Sequence, residues 1–311
     1  MKDSIKFAEI VNASHKELAQ LLEKGRTLSQ KHFGQTLKCY YPSNRFPSIS
    51  ITGSSCVLNC LHCNKHYLKN MHHITSPEDL EQFAINLEKK QGSGFLLSGG
   101  YNEDSIIPLD PYLEAISKIK STTNLKINVH PGLVNFNQAK ALAEAGVDAV
   151  SFDLITNDEV ISKVIKNNKK GKDYIESFAS MIKAGLHVVP HICLGLHFGD
   201  EKGNLDAIET ALKFDIPLIV FLSLIPTKGT VMEKSKIIDN DYLSKLILYT
   251  RLKKPNLEQA LGCMRVRQID YERTAILAGI NRVAVPKKKS LDFAVNKLGL
   301  SIKQMETCCS L

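Results

Sequence analysis

From about residue 48 onward, short apolar stretches alternate with amphipathic segments along the chain. Several of these stretches are apolar at consecutive positions and rich in β-branched residues, as in residues 217–222, which is typical of parallel strands covered on both faces. The intervening segments have apolar positions at helical spacing. We predict strands at residues 48–53, 94–98, 125–130, 148–154, 186–194, 217–224, 259–263 and 282–285. Repeated β–α units of this kind predict a TIM-type (β/α) barrel with six to eight parallel strands.

Local signals place the ends of two predicted helices. Ser76 precedes a helix at residues 76–90 in a capping-box pattern, and Gly146 follows a helix at residues 135–145. These signals support helices between the predicted strands.

The first part of the chain differs from the rest. Residues 2–33 have helical apolar spacing and end at Gly34, which can stop a helix. Prolines at 42 and 47 predict an irregular segment at residues 38–47. We therefore expect an N-terminal helical extension at residues 1–44, followed by the barrel at residues 45–311 with a Cys–Cys tail at its end.

Composition narrows the class of protein. The chain has 311 residues, of which 43% are hydrophobic and 23% charged, as in ordinary globular proteins. There is no apolar run of about 18 residues, and residues 1–4 do not open an apolar signal segment, so we expect a cytoplasmic protein without a membrane partner. The net charge of +8 permits a polyanionic partner. The lysines are scattered, however, and the densest run, residues 287–289, predicts a solvated helix start, so nucleic-acid binding is not favoured.

The most informative motif lies just after the first predicted strand. Cys56, Cys60 and Cys63 have C-x3-C-x2-C spacing. Three thiolates in one loop can ligate three irons of a 4Fe-4S cluster and leave the fourth iron open to a small molecule. The alternative is a structural zinc site completed by His62 or His66. Zinc modules usually bring their ligands as two separated pairs, and no further C-x2-C pair exists in this chain.

Other polar and glycine residues follow the predicted strands. Working residues of a β–α barrel lie at the carboxyl ends of its strands. The candidates there are Ser98, Gly99, Gly100, Asn128, His130, Ser151 and Asp153. Strand alternation places Asn128 with His130 on one face, and Ser151 with Asp153 on one face. Each of these polar side chains could instead be a structural hydrogen-bonding group.

The cysteine loop and the strand before it resemble the radical S-adenosylmethionine (SAM) enzymes. This resemblance implies a 4Fe-4S cluster that binds SAM and produces a 5'-deoxyadenosyl radical. It also implies that residues 98–100 hold the SAM amino group, and that Ile192 and Gly195 lie near adenine. Asn128, His130 and Asp153 are then candidates to bind SAM or the substrate. Many family members have an aromatic residue before the third cysteine, where this chain has His62.

A narrower resemblance covers residue 40 to the end of the chain. The segments at residues 45–53, 97–100, 129–130, 190–191 and 261–263, with the terminal Cys308–Cys309, resemble archaeal-type two-subunit lipoyl synthases of the biotin-synthase-like group. This implies sulfur insertion into an octanoyl chain on a lysine of a carrier protein. The implied partners are a second related radical SAM subunit, the octanoylated lipoyl-carrier protein and a low-potential electron donor such as ferredoxin.

Sulfur insertion needs a sulfur donor, and the remaining cysteines are candidates to hold it. Cys263, Cys308 and Cys309 could ligate an auxiliary 4Fe-4S cluster, with Cys39 as a weaker candidate. We expect the tail to carry its two cysteines across the barrel rim to Cys263. Arg265 and Arg267 beside Cys263 also suggest a site for an anion or a second metal.

Three alternatives stay open from the sequence. One is a radical SAM enzyme with a small soluble substrate, such as a biotin-synthase relative or a mutase. Another is a tRNA sulfur-inserting enzyme, favoured by the net charge and opposed by the lack of an added basic domain. The third is a non-enzymatic zinc module.

Overall fold

A computed structural model describes residues 5–311, and its centre is one parallel sheet of eleven strands. The strands are β1 (Thr36–Tyr40), β2 (Ser48–Ser50), β3 (His72–His73), β4 (Gly94–Ser98), β5 (Lys126–Val129), β6 (Ala149–Asp153), β7 (Val188–Leu194), β8 (Leu218–Ser223), β9 (Glu258–Leu261), β10 (Arg282–Ala284) and β11 (Ser301–Met305). Their spatial order is β11-β1-β10-β9-β8-β7-β6-β5-β4-β2-β3. From β4 to β10, strands that are neighbours along the sheet follow one another in the chain, which is the connectivity of a (β/α) barrel.

The helices cover the outside of the sheet. They are α1 (Phe7–Val11), α2 (His15–Phe33), α3 (Pro77–Lys89), α4 (Leu113–Thr122), α5 (Phe136–Glu144), α6 (Asp158–Val160), α7 (Gly171–Lys183), α8 (Asn204–Leu212), α9 (Asn240–Lys253), α10 (Ile269–Leu277) and α11 (Lys288–Leu298). Among the described residues, no helix is both long and apolar enough to cross a membrane.

The sheet curves so that its two ends approach each other. Arg45, just before β2, forms an ion pair with Glu306, just after β11. The Ser93 hydroxyl, just before β4, donates to the Glu306 carbonyl at 2.5 Å. The TIM-type fold predicted from the sequence is therefore confirmed, but the predicted count of six to eight strands is too low.

Most predicted element boundaries agree with the structure. The strand at residues 94–98 has the predicted bounds, and the others differ at their ends by up to three residues. The largest difference is β2, which ends at Ser50 because residues 51–54 form a turn. The Ser50 hydroxyl donates to the Gly53 carbonyl at 2.6 Å and holds this turn.

Three strands, β1, β3 and β11, were not predicted from the sequence. An irregular segment was predicted from residue 38, but Leu37, Cys39 and Tyr40 of β1 are buried. This strand pairs with both β10 and β11, so it is part of the sheet although it precedes residue 45. The reason for the miss is that β1 acquires its partners only from segments about 240 to 265 residues later in the chain.

The predicted N-terminal helices are present as α1 and α2. Residues 1–4, with which the expected extension begins, lie outside the described part of the chain. Helix α2 ends at Phe33, and Gly34 follows with a φ of 73°, as its identity suggests. Phe7 of α1 packs edge-on against Tyr242 and Tyr249 of α9, with ring centroids 5.9 and 5.5 Å apart. The two helices are thereby anchored on the outer layer.

The two faces of the sheet bury different residues. Side chains such as Ile192, Ile219 and Val283 pack in the large core that includes the helices. A smaller cluster of Tyr40, Val189, Leu218, Val220, Ala260, Ala284 and Cys309 lies on the opposite face. Because alternate residues of a strand point to opposite faces, this smaller cluster marks the concave interior of the barrel.

Candidate active site

The cysteine loop follows β2 at the carboxyl end of the sheet, and hydrogen bonds hold it in place. The Tyr101 N–H, just after β4, donates to the Cys56 sulfur at 3.3 Å. The Val57 N–H donates to the Tyr101 carbonyl at 2.8 Å, and the Leu61 N–H donates to the Val164 carbonyl at 2.9 Å. The loop is therefore attached to the segments that follow β4 and β6.

A cavity of about 440 Å³ lies beside this loop, which is within the range of pockets that bind small molecules. The sulfur-bearing residues Cys56, Cys60 and Cys63 line it together. Of the other residues singled out in the sequence, it is lined by Ser98, Gly99, Gly100, His130, Ser151, Asp153 and Cys263. The structure thus brings together most of the predicted site residues, although their separation in the chain exceeds 200 residues.

Three predicted cofactor residues do not line the cavity. Asn128 is completely buried and bonds to other protein groups, and Ile192 points into the outer core. Gly195 lies in the turn after β7, where its N–H donates to the Asn204 side chain at 3.2 Å. The Asn204 side-chain Nδ2 donates to the Cys193 carbonyl at 3.3 Å, so Asn204 holds the end of β7.

The thiols of Cys60 and Cys63 favour their neutral forms in this environment. Burial, with the neighbouring Cys63 and Cys56, raises the pKa of Cys60 to about 12. Burial also raises the pKa of Cys63, opposed by backbone N–H groups of residues 65–67. Thiolates at this position need a compensating cation, since metal binding is what removes protons from buried thiols. This donor set fits an iron-sulfur cluster.

The structure also bears on the alternative of a zinc site completed by His62 or His66. Within residues 5–311, no three His, Cys, Asp or Glu side chains converge closely enough to hold one metal ion. His62 lines the cavity, and burial lowers its pKa to about 4. Its Nδ1 atom is buried and has no hydrogen-bond partner among the described residues. His66 lies on the exposed side of the loop.

His130, His191 and Asp153 form one polar part of the cavity wall. Burial raises the pKa of Asp153, and burial lowers the pKa of His130 against the opposing charge of Asp153. Burial and the neighbouring His130 lower the pKa of His191 to about 3. The imidazoles are therefore neutral at physiological pH, so each can act both as hydrogen-bond donor and as acceptor.

Two further residues, Tyr67 and Cys193, line the cavity without having been predicted as site residues. The hydroxyl groups of Tyr67 and Thr227 form a hydrogen bond at 2.7 Å, which joins the cysteine loop to the loop after β8. Cys193 lines the cavity, and burial raises its pKa to about 12. The only sequence signal for Cys193 was its position at the end of a predicted strand.

The C-terminal tail enters the concave interior of the barrel. Cys309 packs against Tyr40, Val189 and Ala260, and Arg282 donates to the carbonyls of Cys309 and Leu311 at 2.9 and 2.6 Å. The expected position across the rim is therefore wrong. The interior accommodates the tail because Ala260 and Ala284 leave room on the concave face.

The tail is in contact with the cavity wall. The Ser310 hydroxyl lies 3.1 Å from the Ser151 hydroxyl and 3.5 Å from His191 Nε2, and both of these residues line the cavity. Asn128 donates to the Cys308 sulfur at 3.5 Å. A hydrogen bond from Cys309, opposed by burial, lowers the pKa of Cys308. The pKa of Cys263 is raised by burial and then by the charge of Cys308, so these thiols are electrostatic neighbours.

The interpretation of Arg265 as an anion site is wrong. Its guanidinium is buried and pairs with Glu272 at 2.6 Å. It also donates to the carbonyls of Gly262 and Ala284 at 2.6 and 2.7 Å. A buried arginine with these partners supports the ends of β9 and β10 instead.

Gly100 lies directly against the cysteine loop. Its N–H donates to the Thr52 hydroxyl at 2.7 Å, and a Cβ added there would lie 1.9 Å from the Ser55 carbonyl oxygen and 2.6 Å from the Cys56 Cβ. At Gly99 an added Cβ would meet Thr52 at 3.1 Å, which a small side-chain adjustment relieves. The structural reason for glycine at position 100 is therefore close contact with the loop backbone.

We expect Gly100→Ala to displace the cysteine loop and to lower the free energy of unfolding by about 3 kcal/mol, as overpacking of a tight site does. Urea denaturation and iron content after anaerobic reconstitution measure the two effects. Gly99→Ala is the matched control and should behave like the wild type. Equal stability and iron content for the two variants would contradict this account of Gly100.

Comparisons with known proteins identify the family of this chain. The family model described as "Radical SAM superfamily" matches residues 50–214, which is more than half of the chain. The biotin synthase of Neorickettsia sennetsu is 26% identical over 253 residues, covering 77% of this chain and 75% of the relative. The biotin synthase of Coxiella burnetii (strain Dugway 5J108-111) is 28% identical over 246 residues, covering 75% and 74%.

Two solved structures share the fold. Methylornithine synthase (PylB) superposes with a TM-score of 0.68 at 16% identity, covering 97% of this chain and 95% of its own. The [FeFe]-hydrogenase maturase HydG superposes with a TM-score of 0.73 at 16% identity, covering 96% and 71%. With the three-cysteine loop at the mouth of a parallel barrel, the family match shows that this chain belongs to the radical SAM superfamily and that its cofactors are a 4Fe-4S cluster and SAM.

Proposed function

We propose that this radical SAM enzyme inserts sulfur and is one subunit of a lipoyl synthase that acts on protein-bound octanoyl-lysine. The observation that carries this proposal is the position of the tail. Cys308 and Cys309 lie inside the barrel, and Ser310 between Cys309 and the chain end bonds to two residues of the cavity wall. The similarity to biotin synthases is compatible with sulfur insertion.

Cys56, Cys60 and Cys63 would hold the SAM-binding cluster, and Cys263, Cys308 and Cys309 would hold an auxiliary 4Fe-4S cluster. When bound, the first cluster with SAM supplies hydrogen-atom abstraction from carbon, and the second supplies sulfur. Cys263 lines the cavity together with the cysteine loop, which supports an auxiliary cluster near the first.

The protein residues bind and orient SAM and the substrate, and they exclude water from the cavity. We assign the SAM methionine end to the strand end at residues 98–100. We assign the adenine end to the end of β7 and the turn after it, where Cys193 and Leu196 line the cavity. Neutral His130 and buried Asp153 offer hydrogen bonds to SAM or substrate within the same cavity. Enclosure by buried side chains protects a reactive carbon from solvent.

The tail contacts give the second set of cysteines a defined position. Arg282 holds the backbone of the tail through two carbonyls, while Asn128 and Ser151 hold Cys308 and Ser310. Cys39, the weaker candidate, packs in the outer core and its sulfur lies 3.8 Å from the Leu37 carbonyl. We therefore leave Cys39 out of the proposed ligand set.

The rest of the cavity suits an acyl chain. Much of its wall is apolar, with Leu222, Ile225 and Met264 on the side of Cys263. An octanoyl chain gains roughly 0.8 kcal/mol for each methylene that it buries. The carrier protein, a second related radical SAM subunit and a low-potential donor such as ferredoxin are the proposed partners.

The test is anaerobic reconstitution followed by a product assay. We expect about eight irons per chain, consistent with two 4Fe-4S clusters. Incubation with SAM, reductant, an octanoyl-lysine peptide and the partner subunit should yield thiolated peptide detected by mass spectrometry. About four irons and no thiolated peptide would contradict the proposal.

The similarity to biotin synthases also favours a second candidate, a radical SAM enzyme with a small soluble substrate. In that case thiolated or rearranged product should form from a free small molecule and not from the peptide. A tRNA substrate would instead give sulfur-modified nucleosides.

A further inference from the structure

Exposed apolar side chains are concentrated at one side of the barrel mouth. Val231 is 73% exposed, Ile237 41%, Val285 38% and Met264 36%. They lie in the loops that follow β8, β9 and β10, which are neighbours in the sheet. Because these strands are parallel, the loops after them meet at the same end of the barrel.

Hydrogen bonds join these loops into one surface, which we call the docking face (residues 228–237, 263–267 and 285–289). The Ser223 N–H at the end of β8 donates to the Met264 carbonyl at 3.1 Å. Arg267 donates to the Val285 carbonyl at 2.7 Å and to the Cys263 carbonyl at 3.1 Å. The docking face is therefore held by the ends of three strands.

The charge of this face is strongly positive. Its exposed basic residues are Lys228, Lys234, Lys236, Arg267, Lys287, Lys288 and Lys289. The one acidic residue within it, Glu233, accepts a hydrogen bond from the Gly229 N–H at 2.8 Å. Among the residues that the structure describes, none of these lysine ammonium groups forms an ion pair. Unneutralised lysines around apolar side chains are complementary to an acidic protein surface.

The docking face continues into the cavity. Met264 is exposed on the face and also lines the cavity, next to Cys263. Leu222 and Ile225 extend the same apolar wall inward from β8. An apolar chain attached to a protein on this face would therefore reach Cys263 without crossing a polar barrier.

We infer that the docking face binds an acidic folded protein domain, which presents its acylated lysine to the cavity. This rests on the proposed function, since it names the place where the carrier binds. The apolar side chains would form the centre of the interface, and the lysines its charged rim.

The test compares two triple charge reversals in the full chain. One is Lys228→Glu with Lys234→Glu and Lys236→Glu. The matched control is Lys89→Glu with Lys90→Glu and Lys213→Glu, at exposed ends of α3 and α8 on the opposite end of the barrel. The probes are an acidic octanoylated carrier domain, a short neutral octanoyl-lysine peptide and an unmodified bulk tRNA.

We expect the first variant to raise the Kd for the carrier domain at least about tenfold at low salt, and high salt to reduce the difference from wild type. The control should keep wild-type affinity, and both variants should keep wild-type SAM cleavage and peptide thiolation. Equal carrier affinity of the two variants would overturn the inference. A loss of tRNA binding with unchanged carrier binding would also overturn it, since the face would then bind nucleic acid.

The two proposals fail in distinguishable ways. If wild-type enzyme thiolates neither peptide nor carrier domain, the proposed function is wrong, and the binding titration alone decides the docking face. If wild-type enzyme thiolates the carrier domain and the first variant does so with unchanged KM, only the docking face is wrong.

Discussion

Replacing Cys60 with alanine is expected to abolish reductive SAM cleavage and to remove about four irons per chain. Cys60 lies between Cys56 and Cys63 in a loop that hydrogen bonds hold at the cavity, so no other thiol can take its place without moving the backbone. We expect the same result for alanine at position 56 or 63. Release of 5'-deoxyadenosine, measured by chromatography with a strong reductant, and iron analysis check both effects.

Cys39→Ala is the control for this prediction. Cys39 is equally a free cysteine, but it is buried in the outer core and does not line the cavity. Its replacement should lower stability slightly through the lost packing and leave SAM cleavage unchanged. If a variant without Cys56, Cys60 and Cys63 still released 5'-deoxyadenosine, the assignment of the SAM-binding cluster would be wrong.

Replacing the two cysteines of the C-terminal tail is expected to have the second large effect, a loss of product thiolation. Cys308→Ala combined with Cys309→Ala should leave SAM cleavage intact, remove about four irons and reduce thiolation of an octanoyl-lysine substrate below detection. The reason is that these two thiols lie inside the barrel, apart from the cysteine loop, and the next residue, Ser310, contacts the cavity wall. Iron analysis, spectroscopy of the clusters and mass spectrometry of the product separate the two functions.

Ser310→Ala tests whether iron binding depends on the thiols of Cys308 and Cys309 or on the contacts that position the tail. This change removes the contacts with Ser151 and His191 but keeps both cysteines, so the iron content should stay at the wild-type value. Truncation after Glu306 should match the double cysteine variant in losing thiolation. Full iron content and thiolated product in the truncated protein would show that Cys308 and Cys309 are ordinary thiols.

Local signals in the sequence predicted much of the architecture. Ser76 accepts a hydrogen bond from the Asp79 N–H at 3.2 Å and precedes α3, as its capping pattern indicated. Asn135 caps α5, and Gly34 follows α2. These features were predictable because a cap, a turn and an apolar period each depend on residues within a few positions of one another.

The missed strands depend on distant partners. Strand β11 has an exposed and mostly polar sequence, and it is a strand because Ser301–Met305 pairs with Thr36–Tyr40. The two-residue strand β3 likewise exists through its pairing with β2. No property of these short segments alone distinguishes them from loops, since a strand is stabilised by its neighbours in the sheet.

The candidate site also has a part that the local sequence encodes and a part that depends on the tertiary structure. The sequence by itself determined the cysteine loop, because three thiols within a few residues must share one site wherever the chain folds. Only the tertiary structure decided that Asn128 and Ser151 bind the tail, and that Arg265 is neutralised by Glu272. It also brought Cys308 within 3.5 Å of Asn128, across 180 residues of chain. Such contacts follow from the closure of the barrel, and no local spacing encodes them.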